Sequence, residues 1–215
     1  MTRRKASKLL IGAASVVALP PALATSAWAQ ASAERIAELA KPGPNGDRVL
    51  GQHDAPVTII EYASMTCPFC ASFHANVLPA IKKNYVDTGK AKLIYRDFPL
   101  DDLALVVALL AHCVKGDAYF EFLNVLYKQQ RAWAAAPKAQ LMKLAKQVGI
   151  TEDGFDKCIA NQEVLDGIRW ERDRASNDFE IRSTPTLFVN GKRMRPGASA
   201  EEFGVAIDEA IAAAM

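Results

Sequence analysis

An apolar run, PVTIIEYA at residues 56–63, constrains the fold more than any other stretch of this chain. β-Branched residues dominate it and no regular polar alternation interrupts it, which is typical of a strand covered on both faces. Cys67 and Cys70 follow shortly after it, and a helical pattern begins at Pro68. A second strand is predicted at KAKLIYRDF, residues 90–98. Strand, helix and strand in this order predict an α/β fold.

The next part of the chain carries helical signals only, from about residue 101 to residue 179, and Asp101 is predicted to cap the first of these helices. Strand signals return in TPTLFVNGKRMRPG at residues 184–197, where Asn190-Gly191 predicts a two-residue hairpin. SAEE at residues 199–202 predicts a capping box that starts a last helix. The sequence therefore predicts an all-helical block set inside an α/β fold.

The N-terminus has the pattern of an export signal. Four basic residues precede an apolar run at residues 9–19, and SAWAQA at residues 26–31 supplies a small-residue cleavage site. We expect cleavage after Ala29 and export to the periplasm. The apolar run is about half of the ~20 residues that a bilayer requires and ends at Pro20, so a permanent anchor is the weaker interpretation. The basic residues also resemble a twin-arginine signal, so the sequence leaves both the Sec and the Tat route open.

The charge of the mature chain differs from that of the full sequence. The full chain contains 26 Lys+Arg and 24 Asp+Glu, and the predicted signal, residues 1–29, removes basic residues only. The mature chain is therefore slightly acidic, which argues against a surface that binds nucleic acid. Residues 30–47 are predicted to be a lead-in, with a short helix followed by a stretch rich in proline, glycine and asparagine. The remaining length fits one domain of ordinary size.

The Cys-Pro-Phe-Cys motif lies where the first predicted strand meets a helix. The first-turn N–H groups of a helix lack partners and its dipole presents partial positive charge there, so a Cys67 thiolate is stabilised. Pro68 has no backbone N–H, and an N–H at this position would have no partner. The N–H groups of Phe69 and Cys70 remain to face the Cys67 sulfur. Cys70 lies one turn later, close enough for a disulfide. We expect a substrate thiolate to attack Cys67 and the disulfide to pass on by exchange.

A metal site is the alternative interpretation of the same stretch. Cys67, Cys70 and His74 form the pattern C-x-x-C-x-x-x-H. A closed structural zinc site needs four ligands, normally from two paired segments, and the chain has no second C-x-x-C. We therefore expect no metal and no cofactor, and we place His74 at the rim of the site or toward solvent.

The sequence resembles the DsbA-like branch of the thioredoxin superfamily, which consists of exported thiol-disulfide oxidoreductases with a helical domain inserted into a thioredoxin fold. Three separated motifs carry the resemblance: the strand leading to CPFC, the long helical stretch, and STPTLFVNGK at residues 183–192. The resemblance implies a thioredoxin-like domain at residues 48–215, with a helical insertion at about residues 100–163. It also implies that Cys67 is the nucleophile and Cys70 the resolving cysteine.

Three further residues follow from this resemblance. Pro185 matches a cis-proline that faces the cysteines and would turn the Thr184 backbone toward Cys67, where it could pair with a substrate peptide as an added strand. Glu61, within the first strand, matches a buried acid. If buried, its charged form is disfavoured and it becomes a proton acceptor near Cys70. The alternative for Glu61 is a locally exposed strand end.

A second cysteine pair, Cys113 and Cys158, lies in the helical stretch. As buried free thiols both would be ordinary small hydrophobic residues. An oxidising compartment and an even number of cysteines favour pairing, and the resemblance extends to relatives with a second bridge in the insert. We therefore expect a structural disulfide here.

Together these features predict an exported dithiol oxidase that introduces disulfides into reduced, unfolded polypeptides. A membrane redox partner is expected to reoxidise the Cys67–Cys70 pair, with no nucleic-acid partner and no membrane span in the mature chain. One alternative is a disulfide isomerase or reductase on the same fold, because the resemblance associates a threonine before the proline, here Thr184, with several such proteins. Residues 30–47 are, however, too few for the dimerisation domain that such isomerases usually carry. The other alternative is a non-enzymatic metal-binding or chaperone module.

Overall fold

The computed structural model describes residues 33–116 and 118–214, so the predicted signal lies outside the described residues. A five-stranded sheet has the order β1-β3-β2-β4-β5. Its strands are β1 (Arg48–Leu50), β2 (Val57–Ala63), β3 (Ala91–Asp97), β4 (Thr186–Val189) and β5 (Lys192–Arg193). Strands β2 and β3 run parallel, and the other pairings are antiparallel. The helix that connects β2 to β3 is the crossover that a parallel pair requires.

The helices follow the order that the sequence predicts. The first half contains α1 (33–40), α2 (Pro68–Asn76), α3 (Leu78–Ile81) and a π-helical turn (Lys82–Val86). Between β3 and β4 lie α4 (Asp102–His112), α5 (Ala118–Lys128), α6 (Gln130–Ala135), α7 (Pro137–Gln147), α8 (Glu152–Ile159) and α9 (Gln162–Asp178). Helix α10 (Ala200–Ala214) ends the described chain. The predicted α/β architecture with an all-helical block inside it is confirmed.

Both faces of the sheet are covered, as the apolar run in β2 predicts. Ile59 packs in a core that includes Phe73 of α2 and Phe203 of α10. The next residue, Ile60, packs in a separate core on the other face with Phe179, which directly follows α9. Successive side chains of a strand point to opposite faces, so one strand contributes to two cores.

The helical block has a core of its own, and this core reaches the sheet. Its large buried side chains include Trp133 of α6 and Leu110 of α4. The same cluster contains Met65, Cys67 and Cys70 from the end of β2 and the start of α2. The CPFC motif therefore lies at the boundary between the sheet and the helical block. Among the described residues, no helix is both long enough and apolar enough to cross a bilayer.

The local signals at element ends are confirmed. Asp101 caps α4 by accepting a hydrogen bond of 2.7 Å from a backbone N–H three residues ahead. Ser199 and Glu202 form the reciprocal capping box before α10, with distances of 2.8 and 3.3 Å. Asn190 and Gly191 connect β4 to β5 with φ of 42° and 81°. Positive φ at both central positions is what a tight hairpin of this kind requires, and asparagine and glycine adopt it most readily.

Candidate active site

Cys67 occupies the N-cap of α2, and Pro68 is the first helical residue. The backbone of Cys67 is extended, with φ −75° and ψ 119°, and no side chain caps the helix. The N–H groups of Phe69 and Cys70 therefore remain directed at the Cys67 sulfur. Both cysteines of the motif are free thiols in this structure.

Hydrogen bonds to its sulfur lower the pKa of Cys67 to about 5. The largest contribution is the hydrogen bond from the Cys70 thiol, and burial of Cys67 opposes it. The side chain of Thr184 and the backbone N–H groups of Cys70 and Phe69 lower the pKa further. Each of these groups stabilises the thiolate more than the thiol, so Cys67 is ionised at neutral pH.

Cys70 has the opposite electrostatic environment. Cys70 is completely buried, whereas 4% of the Cys67 surface is exposed. Burial raises the pKa of Cys70 far above its usual value, and the hydrogen bond to Cys67 and the negative charge of Glu61 raise it further. The reduced pair is therefore one thiolate and one thiol, with the thiolate on the sulfur that lies nearer the surface.

The peptide bond between Thr184 and Pro185 is cis. This bond precedes β4 and brings the Thr184 carbonyl oxygen to 3.3 Å from the Cys67 sulfur, so that the thiol form of Cys67 donates a hydrogen bond to it. The Thr184 hydroxyl oxygen is buried and has no hydrogen-bond partner in the described part of the chain, but it lies near enough to the Cys67 sulfur to help lower the pKa of Cys67. The backbone and the side chain of Thr184 both lie beside Cys67.

Glu61 lies in the middle of β2, between Tyr95 of β3 and Leu187 of β4, and is completely buried. Its Oε2 is 3.0 Å from Nε2 of His74. The alternative of an exposed strand end is therefore wrong for Glu61, because strands flank β2 on both sides at this position. The charge on Glu61 is close enough to Cys70 to raise its pKa.

The expectation that His74 faces the rim or solvent is wrong, since only 5% of the residue is exposed. His74 lies four residues after Cys70, and residues at this spacing share one face of a helix. The buried face of α2 carries both residues, and the Glu61 carboxyl supplies the polar partner that a buried imidazole needs. The spacing from Cys70 was the signal in the sequence that could have found this contact.

Gln130, at the start of α6, is a site residue that sequence reasoning missed. Its Nε2 donates hydrogen bonds of 2.8 Å to the carbonyl oxygen of Met65 and 2.9 Å to that of Cys67. The helical block thereby holds the backbone of Cys67 directly. A single glutamine at the start of a helix gives no signal in the sequence of such a contact, because its partners, Met65 and Cys67, are more than 60 residues away.

Phe69 is the exposed member of the motif, with 72% of its surface accessible. It borders a cavity of about 600 Å³ beside the cis peptide bond, whose other walls include Phe73, Pro185, Met194 and Phe203. An apolar concavity of this kind can receive side chains of a polypeptide.

No group of three or more histidine, cysteine, aspartate or glutamate side chains that could hold a metal ion occurs within residues 33–116 and 118–214. Of the three residues in the C-x-x-C-x-x-x-H pattern, His74 turns Nε2 to Glu61, and the Cys70 thiol donates a hydrogen bond to the Cys67 sulfur. The contacts of these residues are those of a thiol pair with a neighbouring acid.

Comparison with known proteins identifies this arrangement. The sequence model of the family described as Thioredoxin matches residues 44–209. The crystal structure of alpha-DsbA1 from Wolbachia pipientis is similar to this chain with a TM-score of 0.76 and 33% sequence identity, covering 82% of this chain and 96% of that one. The chain belongs to the DsbA-like family of the thioredoxin superfamily. The fold is accordingly a thioredoxin fold with a helical insertion.

Two curated relatives of this DsbA-like chain are named for related activities. A Rickettsia typhi protein named as a protein-disulfide oxidoreductase is 32% identical over 171 residues, which cover 78% of this chain and 63% of the relative. A Bacillus anthracis protein named for disulfide bond formation is 27% identical over 155 residues, which cover 68% of this chain and 71% of the relative. The chain thus spans less than two thirds of the length of the rickettsial protein.

The second cysteine pair of this DsbA-like chain is joined in a disulfide between Cys113 and Cys158. Cys113 caps the C-terminus of α4, and Cys158 lies in the last turn of α8. The bridge therefore ties two helices of the insertion together, and both of its cysteines are distinct from the free pair of the CPFC motif.

Proposed function

We propose that this protein is an exported thiol-disulfide oxidoreductase that acts as a dithiol oxidase and introduces disulfides into reduced, unfolded polypeptides. The observation that carries the proposal is the pKa of Cys67, lowered to about 5 by hydrogen bonds to its sulfur. A disulfide has no charge, so this stabilisation acts on the reduced protein alone. A protein whose reduced form is stabilised gives its disulfide away readily.

The reaction begins with a disulfide between Cys67 and Cys70. A substrate thiolate attacks Cys67 Sγ, a new bond joins the substrate sulfur to Cys67, and the electron pair of the old bond goes to Cys70. A second substrate thiolate then attacks the first substrate sulfur. The substrate leaves with its disulfide, and Cys67 leaves as the thiolate that its surroundings stabilise. The substrate loses two electrons, and the protein gains them.

Cys70 needs a proton when it leaves Cys67, because its burial and the nearby negative charge disfavour a thiolate. Glu61 is the group that delivers this proton, since its carboxyl lies close enough to Cys70 for its charge to raise the pKa of Cys70. It gives the proton when the disulfide opens and accepts it when the pair is reoxidised. The Thr184 backbone beside Cys67 serves to align the substrate peptide as an added strand, and the cavity next to Phe69 receives its side chains.

We propose the partners and the location on the basis of the family likeness. Reoxidation of the reduced pair is assigned to a membrane redox partner that accepts the two electrons. Export is assigned to a signal at residues 1–29, by the Sec or the Tat route, with the periplasm as the destination.

The alternative is an isomerase or reductase, which the threonine before the cis-proline favours. The equilibrium reduction potential of the Cys67–Cys70 pair decides between the two, measured against a glutathione buffer. We expect a potential closer to about −120 mV, typical of strong oxidants, than to the roughly −270 mV of thioredoxin. A value near thioredoxin's would overturn the oxidase proposal. In parallel, the oxidised protein should form disulfides in a reduced, unfolded polypeptide in stoichiometric amounts.

A further inference from the structure

Glu61 interacts with both Cys70 and His74, and water does not reach it. Its Oε2 lies 3.0 Å from His74 Nε2, and the side chains of Glu61 and His74 are 0% and 3% exposed. The other carboxyl oxygen, Oε1, is buried without a hydrogen-bond partner among the described residues. Cys70 is equally closed to solvent. A proton that moves between Glu61 and Cys70 therefore needs a further group to exchange with water.

The neighbouring tyrosines do not provide that exchange. The rings of Tyr95 and Tyr127 lie 6.2 and 4.2 Å from the His74 ring. Their hydroxyls are 2.8 Å apart, and Tyr127 donates to the carbonyl oxygen of Ser64. Burial raises the pKa of both tyrosines well above the usual value. Both therefore stay protonated and neutral at neutral pH, and do not pass a proton by ionising.

A small part of His74, 5% of the residue, is exposed, whereas Glu61 and Cys70 are completely buried. His74 lines a groove of about 750 Å³ between α2 and the α5–α6 corner. The walls of this groove also include Ala71, Ala75, Asn124 and the cationic residues Lys128 and Arg131. Since Nε2 faces Glu61, the second ring nitrogen, Nδ1, is the one left for water in the groove. An imidazole can accept a proton on one nitrogen and release one from the other.

We propose that His74 is the proton relay between the buried Glu61–Cys70 pair and the water in this groove. The side chains that contact its ring among the described residues are Glu61 from β2, Tyr95 from β3, Tyr127 from α5 and Phe73 from its own helix. Glu61 is the one that accepts and returns a proton through the ring. This inference rests on the proposed thiol-disulfide exchange at Cys67 and Cys70, and adds the route by which its proton travels.

The transfers balance in each half of the cycle. When a substrate thiolate opens the disulfide, the electron pair goes to Cys70 Sγ. His74 Nε2–H gives a proton to the Glu61 carboxylate, the carboxyl passes it to Cys70 Sγ, and His74 Nδ1 takes one from water. Glu61 is then again the negative charge beside the reduced Cys70. On reoxidation the same steps run in reverse, and one proton leaves through the groove.

Two variants test the relay, His74→Gln and His74→Ala. Glutamine keeps an N–H donor for Glu61 but cannot pass a proton, whereas alanine opens a space toward the groove. We expect both variants to slow the opening of the Cys67–Cys70 disulfide by a small thiol by about a hundredfold, the lower end of what general acid–base catalysis contributes. Free imidazole should restore the rate of His74→Ala and leave His74→Gln slow. Asn124→Ala, in the wall of the same groove, is the control and should react at the rate of the unchanged protein.

Rates equal to that of the unchanged protein, or slow rates that imidazole does not restore in His74→Ala, would overturn the relay. A structural role for His74 would lower the melting temperature and give no response to imidazole. The reduction potential of the unchanged protein, measured on the same samples, tests the oxidase proposal separately. A thioredoxin-like potential would reverse the proposed direction, while the rates of the two variants would still decide whether His74 carries the proton.

Discussion

The sulfur of Cys67 lies 3.3 Å from the carbonyl oxygen of Thr184, a residue 117 positions away in the sequence. Antiparallel pairing of β2 with β4 produces this proximity, because Cys67 follows β2 and Thr184 precedes β4 at the same edge of the sheet. The two cysteines of the motif consequently differ in their surroundings. Cys67 has the cis peptide bond beside it, and Cys70 has the buried acid.

This difference predicts distinct products for the two serine variants. Cys67→Ser should abolish disulfide exchange, whereas Cys70→Ser should accumulate mixed disulfides through Cys67, because the resolving thiol is missing. Mass spectrometry of peptides from the trapped adducts identifies the linked cysteine. Adducts joined through Cys70 would reverse the assignment of the two roles.

The reduction potential should depend on pH with a break at the pKa of Cys67, about 5. Below the break, reduction takes up two electrons and two protons, so the potential falls by about 59 mV per pH unit. Above it only Cys70 takes up a proton, and the slope should halve to about 30 mV per pH unit. Absorbance of the thiolate gives the pKa independently. A single slope of about 59 mV up to pH 8 would contradict an ionised Cys67.

The stability of the reduced protein should rise with pH over the same range. The pKa of Cys67 is about 5 in the folded protein and about 8.5 in an unfolded chain. The lowered value stabilises the folded reduced form fully above pH ~8.5, and this contribution is lost as the pH falls to ~5. Within that window its slope is at most about 1.4 kcal/mol per pH unit. Denaturant unfolding at several pH values measures it, and the oxidised protein, without a thiolate, is the control.

Replacing Cys113 and Cys158 together with alanine should lower the melting temperature and leave most of the exchange activity. The two cysteines are 45 positions apart in the sequence, and the loop-entropy relation gives about 4 kcal/mol for a closed loop of this size. Thermal unfolding and disulfide exchange of the double variant measure the two effects. A complete loss of exchange in a folded double variant would show that the bridge does more than stabilise the helical block.

Gln130→Ala should destabilise the protein by about 1–3 kcal/mol, the range for removing one partner of buried hydrogen bonds. The Met65 and Cys67 carbonyl oxygens both lose a donor, although the N–H of Ala71 still reaches the latter. Gln129→Ala is the matched control, since Gln129 is the exposed preceding residue and should change stability by less than about 0.5 kcal/mol. Equal unfolding free energies for the two variants would contradict a structural role for Gln130.

Signals within a few residues of each other predicted most of the fold. The hairpin at Asn190-Gly191 and the capping box at Ser199 are encoded by the backbone and side chains of their own segments. The expected position of His74 was wrong and Gln130 was missed, because the contacts of both residues depend on partners in other segments of the chain. A histidine on a helix can be buried only where the sheet that packs against the helix supplies a polar partner for its ring. Here that partner was Glu61, thirteen residues earlier.

The shared packing of Met65, Cys67 and Cys70 with the helical block has a consequence for protein engineering. An insertion in a thioredoxin-type domain can be treated as an independent part, to be deleted or exchanged between relatives. In this chain, deleting the insertion would remove the hydrogen bond from Gln130 to Cys67 and expose Cys70. The redox properties therefore depend on the interface between the sheet and the helical block. A chimera would keep them only if it kept both sides of this interface, including Gln130 and the CPFC motif.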